Sequence, residues 1–461
     1  MKAKTIISIL LAAILILGVF PISAAAENHP DILRGDTDLD GEIAIIDVTL
    51  IQRHLAEFIT LDELSQTAAH CDFRSDELDI TDAAMIQRWL ADISDKKRDN
   101  VGLTALIWDV DHYIPIEEDY QRALDAYVEE CDFNGVLYVT RNGHVLCQSA
   151  SGKLDSDGSG DITVDSLFQV GSITKQMCAS AIMLLKEQGK LDTSDTLDKY
   201  YPNYKYGSDI TLRDLLTMQS GIRSFTDYIV IEGEGDAEAS DLVLNVDSTA
   251  SENKDIIKGW LATQELDSTP GTKFYYNNAN FFILADIVEM VSGMPYQDFM
   301  KQNVFAPLGM DNTGFYEDFY NDPRYAQTIA TAIDPAFPLW MLTAGITFGC
   351  GDVVSCAKDM DIWLNSLYDC SLLTKESIKE MTTGGDANPN YGYGISRYND
   401  GSLMHTGSVG TYLSIAFTDP GYGYNLFIAT NQSAFPAPYI NDDEVSIEEF
   451  AYNIEDYTFE L

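Results

Sequence analysis

The chain has 461 residues, of which 46% are hydrophobic. That fraction is enough to bury a core and excludes wholesale disorder, and the length predicts two or three domains. The 73 acidic and 28 basic residues give a formal net charge of −45. A chain this acidic repels nucleic acid and anionic membrane surfaces, so we expect neither as a partner, whereas the charge suits the binding of divalent cations.

The first 26 residues have the features of a secretory signal peptide. Two lysines precede an apolar run at residues 6–20, and Ala24 and Ala26 follow in an A-x-A arrangement. Because the run is short for a membrane-spanning helix, cleavage is favoured over an uncleaved anchor, and we expect a secreted, extracellular protein. Export permits disulfides, but the seven cysteines leave at least one thiol unpaired in a monomer.

Residues 30–93 contain an internal repeat of an acidic loop followed by an amphipathic helix. The segment DVTLIQRHL, which begins at Asp47, aligns with DAAMIQRWL, which begins at Asp82. The first loop has carboxylates at positions 1, 3, 5 and 12 and a glycine at position 6, which is the spacing of an EF-hand calcium loop. Its predicted Ca²⁺ ligands are Asp36, Asp38, Asp40, Asp47 and the backbone carbonyl of Glu42.

The second loop is less regular. One residue is missing where the glycine should be, and Arg74 falls at a usual ligand position. A second ion therefore stays an open question, and its candidate ligands are Asp72, Asp76 and Asp82.

This pair of loops and helices resembles a dockerin, a duplicated calcium-dependent module. The resemblance implies a cohesin domain of a scaffold protein as the partner and a cell-surface cellulosome as the location. Candidate cohesin-facing side chains on the two helices are Gln52, Arg53, Gln87 and Arg88, although they are equally consistent with plain solvent exposure. Residues 94–117 follow and are predicted to be a linker, since they begin with a polar stretch that has no apolar periodicity.

From about residue 118 the pattern changes to alternating strands and helices. A helical segment at 120–133 precedes a predicted β-hairpin around Asn142-Gly143, and a long helix is predicted at 172–188. Two strands are predicted at 412–419 and 424–431, and a last helix at 445–457. We therefore predict one α+β domain over 118–461, an antiparallel sheet packed by terminal helices, with a helical region inserted.

Ser-x-x-Lys occurs four times in the chain, and the surrounding sequence selects Ser172/Lys175 as the catalytic pair. Gly171-Ser172 opens a helix, so the hydroxyl and the amine lie on one helix face about one turn apart. There the amine is placed to take the hydroxyl proton, and the helix dipole favours the developing negative charge. The other three pairs lie in the linker, in a polar stretch, or before an unrelated helix.

Two further segments carry polar groups suited to acyl transfer. Tyr276-Asn277-Asn278 precedes an apolar helix, where the phenol is suited to shuttle a proton and the Asn278 amide to hold a substrate carbonyl. His405-Thr406-Gly407 begins a predicted strand, and the backbone N–H of Ser408 would form an oxyanion hole with that of Ser172. Taken alone, neither segment is specific.

The order Ser-x-x-Lys, Tyr-x-Asn, His-Thr-Gly resembles the serine β-lactamase and penicillin-binding-protein superfamily, in its class C-like branch. The resemblance covers residues 118–440, and stretches such as YGYGI at 391–395 agree with it. It implies a β-lactamase-like sheet with packed helices, preceded by a small all-α dockerin, and no cofactor for catalysis. The implied roles are an acylated nucleophile at Ser172, proton transfer by Lys175 and Tyr276, and substrate binding by Asn278, His405, Thr406, Gly407 and Ser408.

Three functions remain open. The N-terminal module favours a cellulosome-associated esterase that acts on the ester decorations of cell-wall polysaccharide. The second is a D-alanyl-D-alanine carboxypeptidase or β-lactam-binding protein that acts on peptidoglycan, although His405 stands where many members have lysine, which weakens the case for efficient β-lactamase activity. The third is a non-catalytic docking protein with a hydrolase-like fold.

Overall fold

The structure is a computed structural model that describes residues 32–33, 35–39, 42–56, 58–61, 63–71, 78–91, 104–105, 128, 133–141, 143–231, 242–245, 247–327, 345–398, 401–420 and 423–432. The predicted signal peptide and the predicted C-terminal helix lie outside these residues, as does nearly all of the helix at 120–133. Within the described ranges, no helix combines the length and the apolar character that crossing a bilayer requires.

Among its described residues, the N-terminal unit has three helices and a two-stranded antiparallel sheet. Its second strand falls inside the predicted linker, so part of residues 94–117 pairs back onto this unit. The elements in chain order are β1 (Ile32–Leu33), α1 (Ile45–Leu55), α2 (Glu63–Ala69), α3 (Ile80–Leu90) and β2 (Thr104–Ala105).

The sequence repeat is also a structural repeat. Asp47 accepts a hydrogen bond from the Ala44 N–H at the start of α1, and Asp82 accepts one from the Asp79 N–H at the start of α3. Both carboxylates are fully buried and reach back to the preceding loop, where Asp82 binds the Cys71 N–H. Each helix is thus fixed to its own loop by the last acidic residue of that loop.

The larger domain alternates strands and helices in the order β-β-α-rich region-β-β-β that the sequence predicts. Its strands are β3 (Gly135–Arg141), β4 (His144–Ser151), β5 (Phe168–Gln169), β6 (Ile229–Ile231), β7 (Leu242–Leu244), β8 (Gly314–Phe315), β9 (Val353–Ser355), β10 (Ser396–Arg397), β11 (Leu403–Val409), β12 (Tyr412–Asp419) and β13 (Tyr424–Thr430). Its helices are α4 (Thr174–Glu187), α5 (Leu212–Leu216), α6 (Ala250–Thr263), α7 (Asn278–Ser292), α8 (Tyr296–Met300), α9 (Ala306–Leu308), α10 (Tyr316–Phe319), α11 (Ala357–Ser366) and α12 (Lys375–Met381).

The main sheet has six antiparallel strands in the order β10-β11-β12-β13-β3-β4. The predicted hairpin of β3 and β4 is confirmed, as are the two strands β12 and β13. Because β13 pairs with β3, the first and last described strands of the domain lie side by side. Alternate side chains of β3 therefore enter two different cores: Val136 and Tyr138 pack with α4 and α7, and Leu137 and Val139 pack on the other face.

The helix-rich segments cover the sheet and carry the site. α4 is buried over nearly its whole length, because it packs against α7, α8 and α12, while α11 packs on strands β3, β12 and β13. The residues before α4 are held by a three-stranded sheet in the order β5-β9-β8. Next to β5, the Val170 N–H donates a 3.0 Å hydrogen bond to the Val353 carbonyl oxygen of β9. The six described cysteines are all buried and none forms a disulfide.

Candidate active site

Ser172 and Lys175 lie together at the start of α4. Ser172 lies in a 3-10 turn, Gly171–Ile173, that leads directly into the α-helix, so the α-helix itself begins two residues later than the sequence predicts. Lys175 Nζ lies 2.9 Å from Ser172 Oγ and donates a 2.7 Å hydrogen bond to the backbone carbonyl oxygen of Cys350. Lys175 is fully buried and Ser172 is partly exposed, so the amine is screened from water behind an accessible hydroxyl.

Two glycines allow the Ser172 turn to touch strand β11. Gly171 has φ of +51°, in the left-handed region, and a Cβ atom there would lie 2.7 Å from the Ser408 nitrogen. From the other side, a Cβ on Gly407 would overlap the carbonyl oxygen of Val170. A side chain at either position would push the turn away from the strand, so the close approach requires glycine.

The backbone N–H of Ser408 is directed toward this turn. A two-residue turn joins β11 to β12 and is closed by the pair Val409–Tyr412. The closing pair of such a hairpin is hydrogen-bonded and the pairs alternate, so the N–H of Ser408 points away from β12. Among the described residues, β10 covers only residues 403 and 404 of this edge, which leaves the edge open beside Ser172. The N–H of Ser408 therefore points out of the sheet on the side of the open β11 edge.

Tyr276 reaches the same place from the segment before α7. Lys175 Nζ lies 4.9 Å from the centroid of its ring, and the His405 ring lies 6.0 Å away. Within the described part of the chain, no hydrogen bond joins the Tyr276 hydroxyl to Ser172 or Lys175. In this structure the amine, and not the phenol, is therefore the group in contact with Ser172 Oγ.

Asn278 is placed less directly. It is the first residue of α7 and is partly buried, and its Oδ1 atom has no hydrogen-bond partner among the described residues. The neighbouring Asn277 caps the helix, because its side chain accepts a 2.8 Å bond from the Ala279 N–H. Of the two asparagines, Asn277 caps the helix, and the amide oxygen of Asn278 is buried without a partner among the described residues.

His405 is buried on β11, and both of its ring nitrogens have partners. Nδ1 lies 2.6 Å from the backbone carbonyl oxygen of Thr406, and Nε2 lies 3.1 Å from the Tyr391 hydroxyl. Burial, and then the positive charge of Lys175, lower the pKa of His405 to about 3. The imidazole is therefore neutral near pH 7, unlike the lysine that many members of the superfamily have here.

These groups open onto a cleft of about 610 Å³. Gly407 and Lys175 lie behind its wall, and Asn278 is not part of the wall either. The lining residues are Ser172, Phe274, Tyr276, Asn388, Asn390, Tyr391, Ser396, Arg397, Tyr398, Met404, His405, Thr406 and Ser408.

Two functional contacts were not predicted from the sequence. The Cys350 carbonyl that holds Lys175 is a backbone atom, and no side-chain pattern indicates it. Tyr391 lies in YGYGI, a stretch recognised only as typical of the family, and its hydroxyl contact with His405 depends on the folded chain. In the same stretch, a Cβ on Gly394 would lie 2.8 Å from backbone atoms of Lys175, which explains the glycine.

The first acidic loop of the N-terminal unit has a donor set that fits Ca²⁺. Asp36, Asp38 and Asp47 each offer a carboxylate oxygen, and these atoms lie within 4.8 Å of one another. Burial raises the pKa of Asp47 although three backbone N–H groups bind it, a cost that a bound cation would offset. Glu42, at position 7 of the loop, is exposed, and Asp40, Asp72 and Asp76 lie outside the described residues.

The chain is similar to proteins of one family over most of the larger domain. The Beta-lactamase family matches residues 120–448. The Bacillus subtilis (strain 168) protein named "Putative penicillin-binding protein PbpX" is 30% identical over 281 residues, covering 60% of this chain and 65% of that protein. Protein flp of Staphylococcus aureus (strain MW2) is 24% identical over 346 residues, covering 70% and 65%. The chain thus spans about 65% of the length of these two curated relatives.

Two solved structures at 25% identity share the fold. The octameric penicillin-binding protein homologue from Pyrococcus abyssi superposes with a TM-score of 0.57 over 70% of this chain and 74% of its own. The D-amino acid amidase from Ochrobactrum anthropi SV3, complexed with L-phenylalanine, superposes with a TM-score of 0.54 over 68% and 90%. Taken with the family match over 120–448, these likenesses show that the chain belongs to the β-lactamase family of serine hydrolases.

Proposed function

We propose that the chain hydrolyses its substrate through an acyl-enzyme on Ser172. The observation that carries this proposal is the 2.9 Å contact between Lys175 Nζ and Ser172 Oγ, at the wall of an open cleft. The Cys350 carbonyl holds the amine in place, so the geometry is formed before any substrate arrives. A non-catalytic binding protein would have no need for a buried, preorganised amine.

The reaction follows from the positions of these groups. Lys175 takes the Ser172 hydroxyl proton as the oxygen attacks the substrate carbonyl carbon, and the Ser172 and Ser408 N–H groups bind the oxyanion. Collapse breaks the bond to the leaving group, whose oxygen or nitrogen takes up a proton from the Lys175 amine or the nearby Tyr276 hydroxyl. Water then attacks the acyl carbon, releases the acid and returns the proton to Ser172 Oγ.

The leading substrate class is an ester on cell-wall polysaccharide. The cleft wall includes four aromatic side chains, and such surfaces suit acetyl or feruloyl groups. They are Phe274, Tyr276, Tyr391 and Tyr398. The neutral His405 offers no positive charge to a substrate carboxylate.

The second candidate is a peptide or amide of a D-amino acid. Arg397 lies on the cleft wall and is exposed, and among the described residues no acidic group pairs with it, so it would attract the carboxylate of a peptide. The open edge of β11 would accept an extended backbone. The similarity to a D-amino acid amidase and to penicillin-binding proteins also favours this candidate.

We also propose that the N-terminal unit is a calcium-stabilised dockerin that anchors a secreted hydrolase to a cohesin. Its support is the carboxylate cluster of Asp36, Asp38 and Asp47 and an exposed apolar surface on the two repeats. Ile45 and Ile80 begin α1 and α3 at equivalent positions, two residues before Asp47 and Asp82, and are 64% and 61% exposed. The predicted contact residues Gln52, Arg53, Gln87 and Arg88 are all exposed as well.

One activity screen tests the catalytic proposal and separates the substrate classes. Wild type, Ser172→Ala and the control Ser251→Ala, the exposed serine of another Ser-x-x-Lys pair, are assayed with nitrophenyl esters, acetylated xylan, feruloyl esters, D-Ala-D-Ala peptides and nitrocefin. We expect ester turnover in wild type and in the control, and none with Ser172→Ala. Turnover confined to D-peptides, or labelling by a fluorescent penicillin, would favour the second candidate. If wild type and Ser172→Ala are equally inactive toward all substrates, the third function, a non-catalytic docking protein, would be favoured.

A further inference from the structure

Tyr391 is a buried residue beside the catalytic groups to which no role has been assigned. It lies just before β10 and is 5% exposed, and its hydroxyl lies 3.1 Å from Nε2 of His405. Its ring packs edge-on against Tyr276, with centroids 6.2 Å apart and planes at 89°. Tyr391 thus touches both aromatic residues that flank the Ser–Lys pair.

The hydrogen bonds of His405 fix its tautomer. A backbone carbonyl oxygen only accepts hydrogen bonds, so the 2.6 Å contact from Nδ1 to the Thr406 carbonyl requires a proton on Nδ1. In the neutral ring Nε2 is then an acceptor, and the Tyr391 hydroxyl is its donor. The order of donation is therefore Tyr391 O–H to Nε2, and Nδ1–H to the Thr406 carbonyl oxygen.

We propose that Tyr391 is a positioning residue that holds His405 in the neutral Nδ1–H form and thereby keeps it out of proton transfer. The inference rests on the proposed hydrolysis at Ser172 and deepens it, because it states what the histidine of the His-Thr-Gly segment does. The imidazole neither supplies charge to a substrate carboxylate nor gives a proton to a leaving group. Its Nε2 lone pair is occupied, so the acid–base chemistry is left to Lys175 and Tyr276.

The surroundings of His405 explain why the donor is needed. The titratable groups that face the ring are Tyr391, Tyr276 and Lys175, and β12 places Ala416 opposite it in the sheet. Burial and the Lys175 charge oppose protonation of the ring. Without the Tyr391 hydroxyl, the buried Nε2 would lack a partner and would be satisfied by a proton, by water or by the Tyr276 hydroxyl. The last of these would pull Tyr276 away from the Ser–Lys pair.

Histidine NMR tests the tautomer without reference to activity. The full chain is labelled with ring-¹⁵N histidine. The sequence has six histidines, and the signals of His405 are assigned by their loss in His405→Gln. We expect an Nδ1–H pattern in wild type that does not titrate between pH 5 and 8. A His405 ring in the Nε2–H form, or one that titrates near its ordinary pKa, would overturn the proposal even if the protein proves to be an active hydrolase.

Tyr391→Phe tests the role of the hydroxyl, because it keeps the ring and removes only the donor. The control is Tyr393→Phe, whose hydroxyl binds Glu380 at 3.0 Å, away from His405. In Tyr391→Phe we expect a His405 signal that mixes the Nδ1–H and Nε2–H tautomers, because the ring stays buried beside Lys175 but loses its donor, and a roughly five- to tenfold loss of kcat, in line with one buried hydrogen bond. An unchanged His405 spectrum in this variant would refute the proposal; if the variant does not fold, the wild-type spectrum still decides.

Failure of this proposal is distinguishable from failure of the proposed function. If no substrate is turned over while wild type shows the Nδ1–H tautomer, the proposed hydrolysis at Ser172 is wrong and the proposed role of Tyr391 is retained. If turnover depends on Ser172 while His405 titrates near its ordinary pKa, only the proposed role of Tyr391 is wrong.

Discussion

The Cys350 carbonyl oxygen accepts a 2.7 Å hydrogen bond from Lys175 Nζ and so fixes the amine 2.9 Å from Ser172 Oγ. In the described part of the chain no carboxylate lies within 4 Å of this amine. Burying an amine without a counter-ion costs stability, which favours a chemical role for Lys175 over a structural one.

Lys175→Met should therefore separate activity from stability. Methionine fills a similar volume without burying an amine, so we expect the free energy of unfolding to be unchanged or higher. The rate of Ser172 acylation should fall by about 10²- to 10⁴-fold, the usual contribution of a general base. Stopped-flow acylation and urea unfolding measure the two effects, and a variant that unfolds more easily than wild type would show that the amine supports the fold.

Gly171→Ala should remove activity by displacing the turn from β11. An alanine Cβ would lie 2.7 Å from the Ser408 nitrogen, so the two N–H groups of the oxyanion hole would separate. Gly189→Ala is the matched control, because Gly189 also has positive φ, +69°, but open space around it. Both variants should lose about 1–2 kcal/mol of stability from backbone strain. Only Gly171→Ala should lose more than tenfold in kcat, and equal kinetic losses would contradict this explanation.

The sequence predicted the main strands and the three site segments because their patterns are local. The hairpin of β3 and β4, the helix after Ser172 and the strand at His405 each depend on neighbours within a few residues. The pairing of β3 with β4, the helix and the strand are confirmed, while Asn142 of the predicted turn lies outside the described residues. The resemblance of the three motifs to the family then predicted that these distant segments share one site.

The sequence did not predict contacts that depend on folded geometry. The Cys350 carbonyl is 175 residues from Lys175 and is a backbone group, and the neutral state of His405 depends on burial and on the positive charge of Lys175. A histidine at position 405 is compatible either with a charged imidazole that contacts substrate or with a neutral one. Only the partners of the two ring nitrogens distinguish them.

Calcium should stabilise the full chain through the first acidic loop. Asp47→Asn keeps the size of the side chain and one acceptor oxygen for the Thr37 and Asp38 N–H groups, but its NH2 group cannot accept from the Ala44 N–H, and it removes the charge that a divalent cation needs. We expect titration calorimetry to show one fewer Ca²⁺ bound, or binding weakened by more than tenfold. The exposed Asp209→Asn, in the other domain, is the control and should bind as wild type does. Identical isotherms for the two variants would argue against this loop as a calcium site.

The equivalent isoleucines at the starts of α1 and α3 should govern cohesin binding. Since Ile45 and Ile80 occupy the same place in each repeat, a partner that uses one copy finds a similar surface on the other. We expect Ile45→Asp or Ile80→Asp alone to weaken binding several-fold and the double variant to abolish it, as measured by surface plasmon resonance against a panel of cohesins. Ester or peptide turnover should be unaffected in all three, and a double variant that binds normally would move the docking surface elsewhere.

Asp352 should make the larger domain less stable as the pH rises. It is buried next to the segment that holds Lys175, and its Oδ1 has no partner among the described residues. Burial raises its pKa to about 7, from an ordinary value of 3.8. The folded state therefore binds more protons than the unfolded state between about pH 4 and 7, and stability is lost as the pH rises through that window.

Asp352→Asn removes the titration, so it should be more stable than wild type by roughly 2–4 kcal/mol at pH 8 and nearly equal at pH 4. Urea unfolding at both values checks this, with the exposed Asp209→Asn as control, and a pH-independent difference would mean that the carboxyl stays ionised in the fold.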